Sequence, residues 1–169
     1  MIVPIRFYGD PILRTKCKEI AVSDYTISHL ITDMFDTMYQ ADGIGLAAPQ
    51  IGKNLRIFVI DTSTFIIDKS ENTYKRVFIN PEIIKIYGKT WTLKEGCLSL
   101  PDIIAKIERY DSIQLRYYNE DMEKCEETFH GFPARVIQHE YDHIEGKLFI
   151  DLLKRERINK RFKGGFPLT

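Results

Sequence analysis

Two histidines four positions apart, His139 and His143, enclose Glu140, and this motif constrains the fold more than any other part of the chain. On an α-helix, residues at this spacing share one face, with Cβ atoms about 5–6 Å apart. Both imidazoles can then reach one cation at roughly 2.0–2.1 Å. Glu140 follows the first ligand, so its carboxylate can lie beside the metal and act as a base on water. The chain has only 4 histidines, so a metal-carrying helix is a better interpretation than a chance pair of surface side chains.

The segment after His143 offers no convincing third ligand. In one metalloprotease pattern a further histidine follows the motif, but Phe149 stands at that position here. The acids in this segment are Glu145, Asp151 and Glu156. We therefore expect the third ligand upstream of the motif.

Cys97 is the natural upstream candidate. It lies in the segment Glu95–Pro101, whose glycine and proline predict an exposed turn. A thiolate is a strong ligand for Zn²⁺ and similar metals. A single cysteine is more often a small buried hydrophobe, and this interpretation suits Cys17 and Cys125.

The segment Gly43–Gln50 is also unusual, because it combines two glycines with an apolar run that ends in a glutamine. Glycine lets the backbone approach a ligand closely. A buried glutamine needs hydrogen-bond partners, and the amide of Gln50 could donate to a developing oxyanion. A packing glutamine in a loop that ends a helix is the more frequent case, so both interpretations stay open.

The apolar spacing predicts a first helix at about Asp24–Gln40. Short segments rich in β-branched or aromatic residues then predict strands: Arg56–Ile60, Arg76–Ile79, Ile83–Tyr87, Ile103–Arg109, Ile113–Tyr118 and Cys125–Phe129. A second helix should start near Pro133 and end before Gly146, and a short basic helix should span about Leu152–Phe162. Strands grouped between helices predict an α+β fold, in a single catalytic domain over residues 1–169.

The charge balance argues against a dedicated nucleic-acid-binding protein, because 24 Lys and Arg residues match 24 Asp and Glu residues. The N-terminal segment has no long apolar stretch, which predicts neither a signal peptide nor a membrane span. The 3 cysteines form no disulfide framework and favour a reducing compartment. We therefore expect a cytoplasmic protein with no membrane partner.

Three segments, Gly43–Gln50, Glu95–Pro101 and Gln138–Gly146, together closely resemble the sequence blocks of the peptide deformylase family, in the same order and at similar separations. Weaker similarity extends to Asp10–Arg14 and Lys147–Leu153, so the resemblance covers most of the chain. The family removes the formyl group from the N-terminal formyl-methionine of new bacterial-type polypeptides and releases formate. Its fold is α+β, with antiparallel sheets around a central helix that carries the two histidines.

The resemblance implies a role for each matching residue. Glu140 would be the general base and acid, and the Gln50 side chain and the Leu98 backbone N–H would donate to the oxyanion. The implied metal ligands are Cys97, His139 and His143. Such a ligand set suits Zn²⁺, Fe²⁺, Co²⁺ or Ni²⁺. We expect one divalent ion, with Fe²⁺ as the native metal, because the family usually works with Fe²⁺.

The resemblance also implies how a formyl-methionyl peptide binds. The peptide would lie extended, like an added strand, against the backbone near Ile44, Gly45 and Gly96. The methionine side chain would enter an apolar pocket lined by Leu93, Phe132 and Val136. The sequence alone does not separate such a pocket from plain core packing of these side chains.

The family pattern further predicts an ion pair between Glu95 and Arg109 beneath the Cys97 loop. Ile104 departs from the pattern, since relatives often have a basic residue there, and recognition further along the peptide should differ accordingly. The basic stretch Lys154–Lys163 is a candidate for transient ribosome contact, although a solvated helix face is more common for such a stretch.

Two other functions stay open on the sequence. A small zinc endopeptidase would keep the metal and Glu140 but would cleave internal peptide bonds without releasing formate. A structural zinc site would need a fourth protein ligand, which Cys17 or Cys125 could supply. Glu140 and Gln50 have no obvious purpose in a structural site, which makes that function the weaker alternative.

Overall fold

The computed structural model describes residues 1–21, 27–65 and 72–153. The helices in these ranges are α1 (Ile27–Gln40) and α2 (Gly131–Ile144), with short 3-10 helices at Pro11–Arg14, Ala48–Ile51 and Phe149–Leu152. The strands are β1 (Gly45–Ala47), β2 (Ile57–Asp61), β3 (Lys75–Cys97), β4 (Leu100–Tyr118) and β5 (Lys124–His130). They form one antiparallel sheet in the order β1-β2-β3-β4-β5. The predicted α+β class is confirmed.

Strand β2 lies inside the sheet, and all of its residues are buried. Successive side chains of a strand point to opposite faces. Phe58 and Ile60 accordingly pack in the core cluster of α2, whereas Ile57 and Val59 pack in that of α1. The two helices therefore cover opposite faces of this part of the sheet. Burying each such side chain stabilises the fold by about 1.5–3 kcal/mol, which holds α2 firmly against the strands.

Helix α1 buries the apolar stripe that its sequence predicts. Its buried side chains at helical spacing are Ile27, Ile31, Met34 and Met38. The predicted start of this helix at Asp24 lies outside the described residues. At the other end, the Gly43 N–H donates to the Met38 carbonyl at 2.9 Å, so the helix stops close to the predicted position.

Strands β3 and β4 are longer than the sequence predicts. The predicted strands 76–79 and 83–87 merge within β3, and the predicted strands 103–109 and 113–118 merge within β4. Shifts in register interrupt the pairing, for example between Tyr87 and Thr90, and such bulges let a long strand bend. Residues 88–90 and 92 are exposed, so this part of β3 lacks the apolar alternation by which a strand is recognised.

A two-residue turn at Leu98 and Ser99 joins β3 to β4, and Cys97 pairs with Leu100. The sequence predicts an exposed turn here, and Gly96 and Pro101 are indeed exposed, but Ser99 and Leu100 between them are buried. The reason is non-local packing. The Tyr8 N–H donates to the Ser99 carbonyl at 2.8 Å, and Leu100 packs with residues that follow α2.

The described chain continues beyond α2 through the 3-10 helix Phe149–Leu152 to Leu153. The predicted basic helix at Leu152–Phe162 therefore falls almost entirely outside the described residues. Neither described α-helix is long and apolar enough to cross a membrane.

Candidate metal centre

Helix α2 and the end of β3 bring three potential metal ligands together. His139 and His143 lie one turn apart on α2, and Cys97 is the last residue of β3. The ligand atoms of the three residues all lie within 4.8 Å of one another. Cys97 Sγ is 3.2 Å from His143 Nε2. One sulfur and two imidazole nitrogens so arranged suit a tetrahedral divalent ion with one position left for water or substrate.

Cys17 and Cys125 take no part in this cluster, so neither supplies a fourth ligand. Cys17 is buried elsewhere in the core, and burial raises the pKa of its thiol to about 11. Cys125 lies on β5, the edge strand of the sheet. A structural zinc site closed by one of these cysteines is therefore not supported.

Glu95 orients His139 from the side opposite the cluster. Its Oε2 is 3.0 Å from His139 Nδ1, and a carboxylate on one ring nitrogen fixes the tautomer that offers the other nitrogen to a metal. The predicted ion pair is confirmed, because Arg109 Nε lies 2.8 Å from Glu95 Oε1 and Nη2 lies 3.1 Å from Oε2. Burial opposes ionisation of Glu95, but hydrogen bonds from His139 and Arg109 outweigh it and lower its pKa to about 2.

Two residues that the sequence reasoning missed complete this network. Arg135 is buried and donates to Glu95 Oε1 at 2.6 Å. Asp142 accepts from Arg109 Nη1 at 2.9 Å. Both stand at helical spacing from His139, four positions before it and three after it, and this spacing could have indicated them. A buried charge is costly unless it is paired, and here two arginines and two carboxylates balance one another.

Glu140 is buried next to the cluster, and its Oε2 has no hydrogen-bond partner among the described residues. Gly45 lies directly against it, since a Cβ at that position would come within 2.4 Å of Glu140 Oε1. The glycine of β1 therefore makes the room that the carboxylate occupies. Burial raises the pKa of Glu140 to about 7. A carboxyl group poised near neutrality suits general acid–base chemistry.

Gln50 lies in the 3-10 helix that follows β1, with its amide held in one orientation. Its Oε1 accepts from the Ala47 N–H at 2.8 Å, which turns Nε2 toward Ser99 Oγ at 3.2 Å and Cys97 Sγ at 3.6 Å. Leu98 follows Cys97 in the chain, and its backbone N–H donates to no backbone carbonyl of the described residues. Both N–H donors therefore lie beside the candidate ligand Cys97.

A cleft of about 570 Å³ opens beside the cluster. It is lined by Glu140, Gln50, Leu98, Cys97 and His139, whereas His143 is not among its lining residues. All residues expected to contact the substrate also line it: Ile44, Gly45, Leu93, Gly96, Phe132 and Val136. Phe65, which no motif indicated, lines it as well, with its ring centroid 5.3 Å from that of Phe132.

Comparison with known proteins gives one consistent result. The family model of polypeptide deformylase matches residues 2–159. A peptide deformylase of Karelsulcia muelleri (strain GWSS) is 54% identical over 151 residues, which are 89% of this chain and 78% of that protein. The crystal structure of peptide deformylase from Thermotoga maritima is 41% identical with a TM-score of 0.79, covering 91% of this chain and 99% of its own. A class I type b peptide deformylase from Acinetobacter baumannii with Met-Ala-Ser bound is 30% identical with a TM-score of 0.82, covering 90% of this chain and 99% of its own.

Proposed function

The chain belongs to the peptide deformylase family, and we propose that the cluster at the end of β3 and on α2 is its catalytic centre. The protein is a metal-dependent hydrolase that removes the N-terminal formyl group from formyl-methionyl polypeptides and releases formate. The observation that carries the proposal is that three potential ligands cluster beside one cleft, which is lined by two of them, Cys97 and His139, and by the buried Glu140.

We propose Cys97, His139 and His143 as the ligands of one divalent ion. When bound, the ion polarises the formyl oxygen and lowers the pKa of a water molecule toward neutrality. Fe²⁺ is the proposed native ion, since peptide deformylases usually work with it. The same donors also suit Zn²⁺, Ni²⁺ or Co²⁺.

The proposed role of Glu140 is to move one proton. Its carboxylate takes a proton from the water that attacks the formyl carbon, and it delivers a proton to the amine as the C–N bond breaks. The products are formate and a peptide with a free N-terminus. A pKa raised by burial supports this role, because the group must accept and release a proton near neutral pH.

The proposed oxyanion donors are Gln50 Nε2 and the Leu98 N–H. The contact between Ala47 and Gln50 Oε1 fixes the amide before substrate arrives. Donors that need no reorganisation stabilise the tetrahedral transition state more than mobile donors do. Removal of one such donor typically slows turnover by about 10²–10³-fold.

The proposed substrate path follows the cleft. The peptide backbone pairs with β1 and the end of β3, and the methionine side chain enters the apolar pocket. The residues proposed for these contacts are Ile44, Gly45 and Gly96 for the backbone, and Leu93, Phe132 and Val136 for the side chain. One relative holds Met-Ala-Ser, the product of deformylating a formyl-Met-Ala-Ser peptide, which supports a peptide of this kind as the substrate.

We also propose that the protein works in the cytoplasm and makes transient contact with the ribosome, where formylated chains emerge. The basic stretch Lys154–Lys163 is the candidate contact.

The reaction is tested directly with formyl-Met-Ala-Ser and the metal-loaded protein. We expect stoichiometric formate and Met-Ala-Ser, loss of both products after treatment with a chelator, and recovery when Fe²⁺, Co²⁺ or Ni²⁺ is added back without oxygen. Cleavage between the alanine and the serine without formate would instead indicate an endopeptidase.

A further inference from the structure

The aromatic wall of the cleft extends beyond the three motif segments to Phe65, in the loop that follows β2. This side chain is 60% exposed although it is large and apolar, and it lines the cleft. We propose that Phe65 is a specificity-determining residue whose ring contacts the methionine side chain of the substrate. This inference rests on the proposed place of Phe132 in the methionine pocket.

The turn that carries Phe65 is pinned at its base. Asp61 Oδ1 accepts from the backbone N–H of Ser63 at 3.0 Å and from its hydroxyl at 2.6 Å. Asp61 Oδ2 accepts from the Tyr39 hydroxyl at 2.6 Å, which ties the turn to α1. The Phe65 N–H then donates to the Thr62 carbonyl at 3.3 Å. These contacts fix the backbone of the turn, and the Phe65 ring that it carries lies at the cleft.

The Phe65 ring stacks on Phe132, with centroids 5.3 Å apart and planes 16° apart. Phe132, Val136 and His139 follow one another at helical spacing on α2, and all three line the cleft. The apolar wall therefore runs without a break from a candidate metal ligand to Phe65. Phe132 packs against the core cluster, whereas most of the Phe65 surface remains available to a ligand.

A methionine side chain is the occupant that matches this wall. It is apolar and unbranched, and its thioether makes favourable contacts with aromatic rings when the sulfur lies about 5 Å away. The formyl-methionine residue carries the scissile amide, so its side chain starts at the metal end of the wall. The side chain can then extend along Val136 and Phe132 toward Phe65.

The test compares formyl-Met-Ala-Ser with formyl-norleucine-Ala-Ser, in which a methylene replaces the sulfur. Metal-loaded wild type, Phe65→Ala and Phe65→Leu are assayed for kcat and KM. The matched control is Ile84→Ala, because Ile84 is an exposed apolar residue on β3, 41% exposed, that does not line the cleft. Melting temperatures of all four proteins confirm that each is folded.

We expect Phe65→Ala to raise KM for the methionine substrate by about three- to tenfold at nearly constant kcat. Phe65→Leu should have a KM for the norleucine substrate close to that of the wild type. It should not regain the preference of the wild type for the methionine substrate over the norleucine substrate. Ile84→Ala should match the wild type on both peptides.

The inference would be overturned if wild type and Phe65→Ala had equal KM values for the methionine substrate and equal ratios of the KM for methionine to the KM for norleucine. So would a Phe65→Ala defect that grows with the size of the second residue, in formyl-Met-Leu-Ser against formyl-Met-Gly-Ser, because Phe65 would then contact that residue. If the proposed function itself were wrong, the result would be different, because none of the four proteins, including the wild type and the control, would release formate.

Discussion

At the scale of single residues, the proposed chemistry depends on a carboxylate, Glu140, that is buried beside the candidate ligands but is not one of them. Glu140→Gln removes the proton acceptor while keeping the size and most of the polarity of the side chain. We expect turnover of formyl-Met-Ala-Ser to fall by about 10²–10⁴-fold, with metal content unchanged. Formate assays and metal analysis on the same preparation measure the two quantities. Loss of the metal from this variant would make Glu140 a ligand and contradict its role as a base.

The same reasoning separates the cysteines. Cys97→Ser replaces the candidate thiolate by a hydroxyl, a far weaker ligand for these metals, so we expect weaker metal binding and little deformylation. Competition with a chelator measures the metal affinity. Cys17→Ser and Cys125→Ser serve as controls and should keep the metal, because neither sulfur belongs to the cluster. A Cys97→Ser protein with full metal content and full activity would place the third ligand elsewhere.

At the scale of elements, helix α2 is fixed by charges as well as by apolar packing. Glu95 on β3 receives hydrogen bonds from Arg109 on β4 and Arg135 on α2, and it contacts His139. These contacts link the strand that carries Cys97 to the helix that carries the histidines. A single substitution at Glu95 should therefore lower the stability of the fold and disturb the positions of the candidate ligands.

We expect Glu95→Gln to lower the free energy of unfolding by roughly 3 kcal/mol at neutral pH, the equivalent of a pKa shift from 4.5 to about 2. Because the folded-state pKa is the lower one, this contribution is complete above the unfolded-state pKa of 4.5 and is lost as pH falls from there through about 2. Urea unfolding at several pH values measures it. Both proteins are compared without metal, because metal release at acid pH would add its own effect.

The matched control for this prediction is Glu126→Gln on β5. Glu126 also pairs with an arginine, Arg116, at 3.1 Å, but the two side chains are 46% and 43% exposed. Exposed pairs contribute about 0–1 kcal/mol, so the control should change stability little at any pH. Equal effects of the two substitutions would show that the buried network adds no special stability.

At the scale of the whole molecule, residue patterns predict what is local, and contacts between distant segments are predicted where the family resemblance implies them, as for Glu95 and Arg109, but are otherwise mostly missed. The helical spacing of His139 and His143 and the apolar stripe of α1 are local, and both appear in the fold as expected. The burial of Ser99 depends on Tyr8, and the place of Phe65 depends on Phe132, so neither could be read from its own segment. Strand β1 has only three residues, too few for a periodic pattern.

Substrate selectivity depends on the same assembly of distant segments, because β1, β3, β4 and α2 all line the cleft. A formyl group is small, so recognition must come mostly from the adjacent side chain and the peptide backbone. Burying a methionine-sized side chain is worth about 1.5–3 kcal/mol, and 1.4 kcal/mol is about tenfold. We therefore expect kcat/KM for formyl-Met peptides to exceed that for formyl-Gly peptides by at least about tenfold.

N-acetyl-Met peptides extend this prediction to the reacting group itself. The extra methyl group crowds the carbonyl against the metal site, so we expect them to react far more slowly than formyl-Met peptides. Initial rates on three matched peptides, with the same residues after the first, decide both points. Equal rates on formyl-Met and formyl-Gly would mean that the apolar wall does not hold the methionine side chain. Efficient deacetylation would show that the site has room for a larger acyl group than formyl, and the close packing of the metal site would then not be the basis of selectivity.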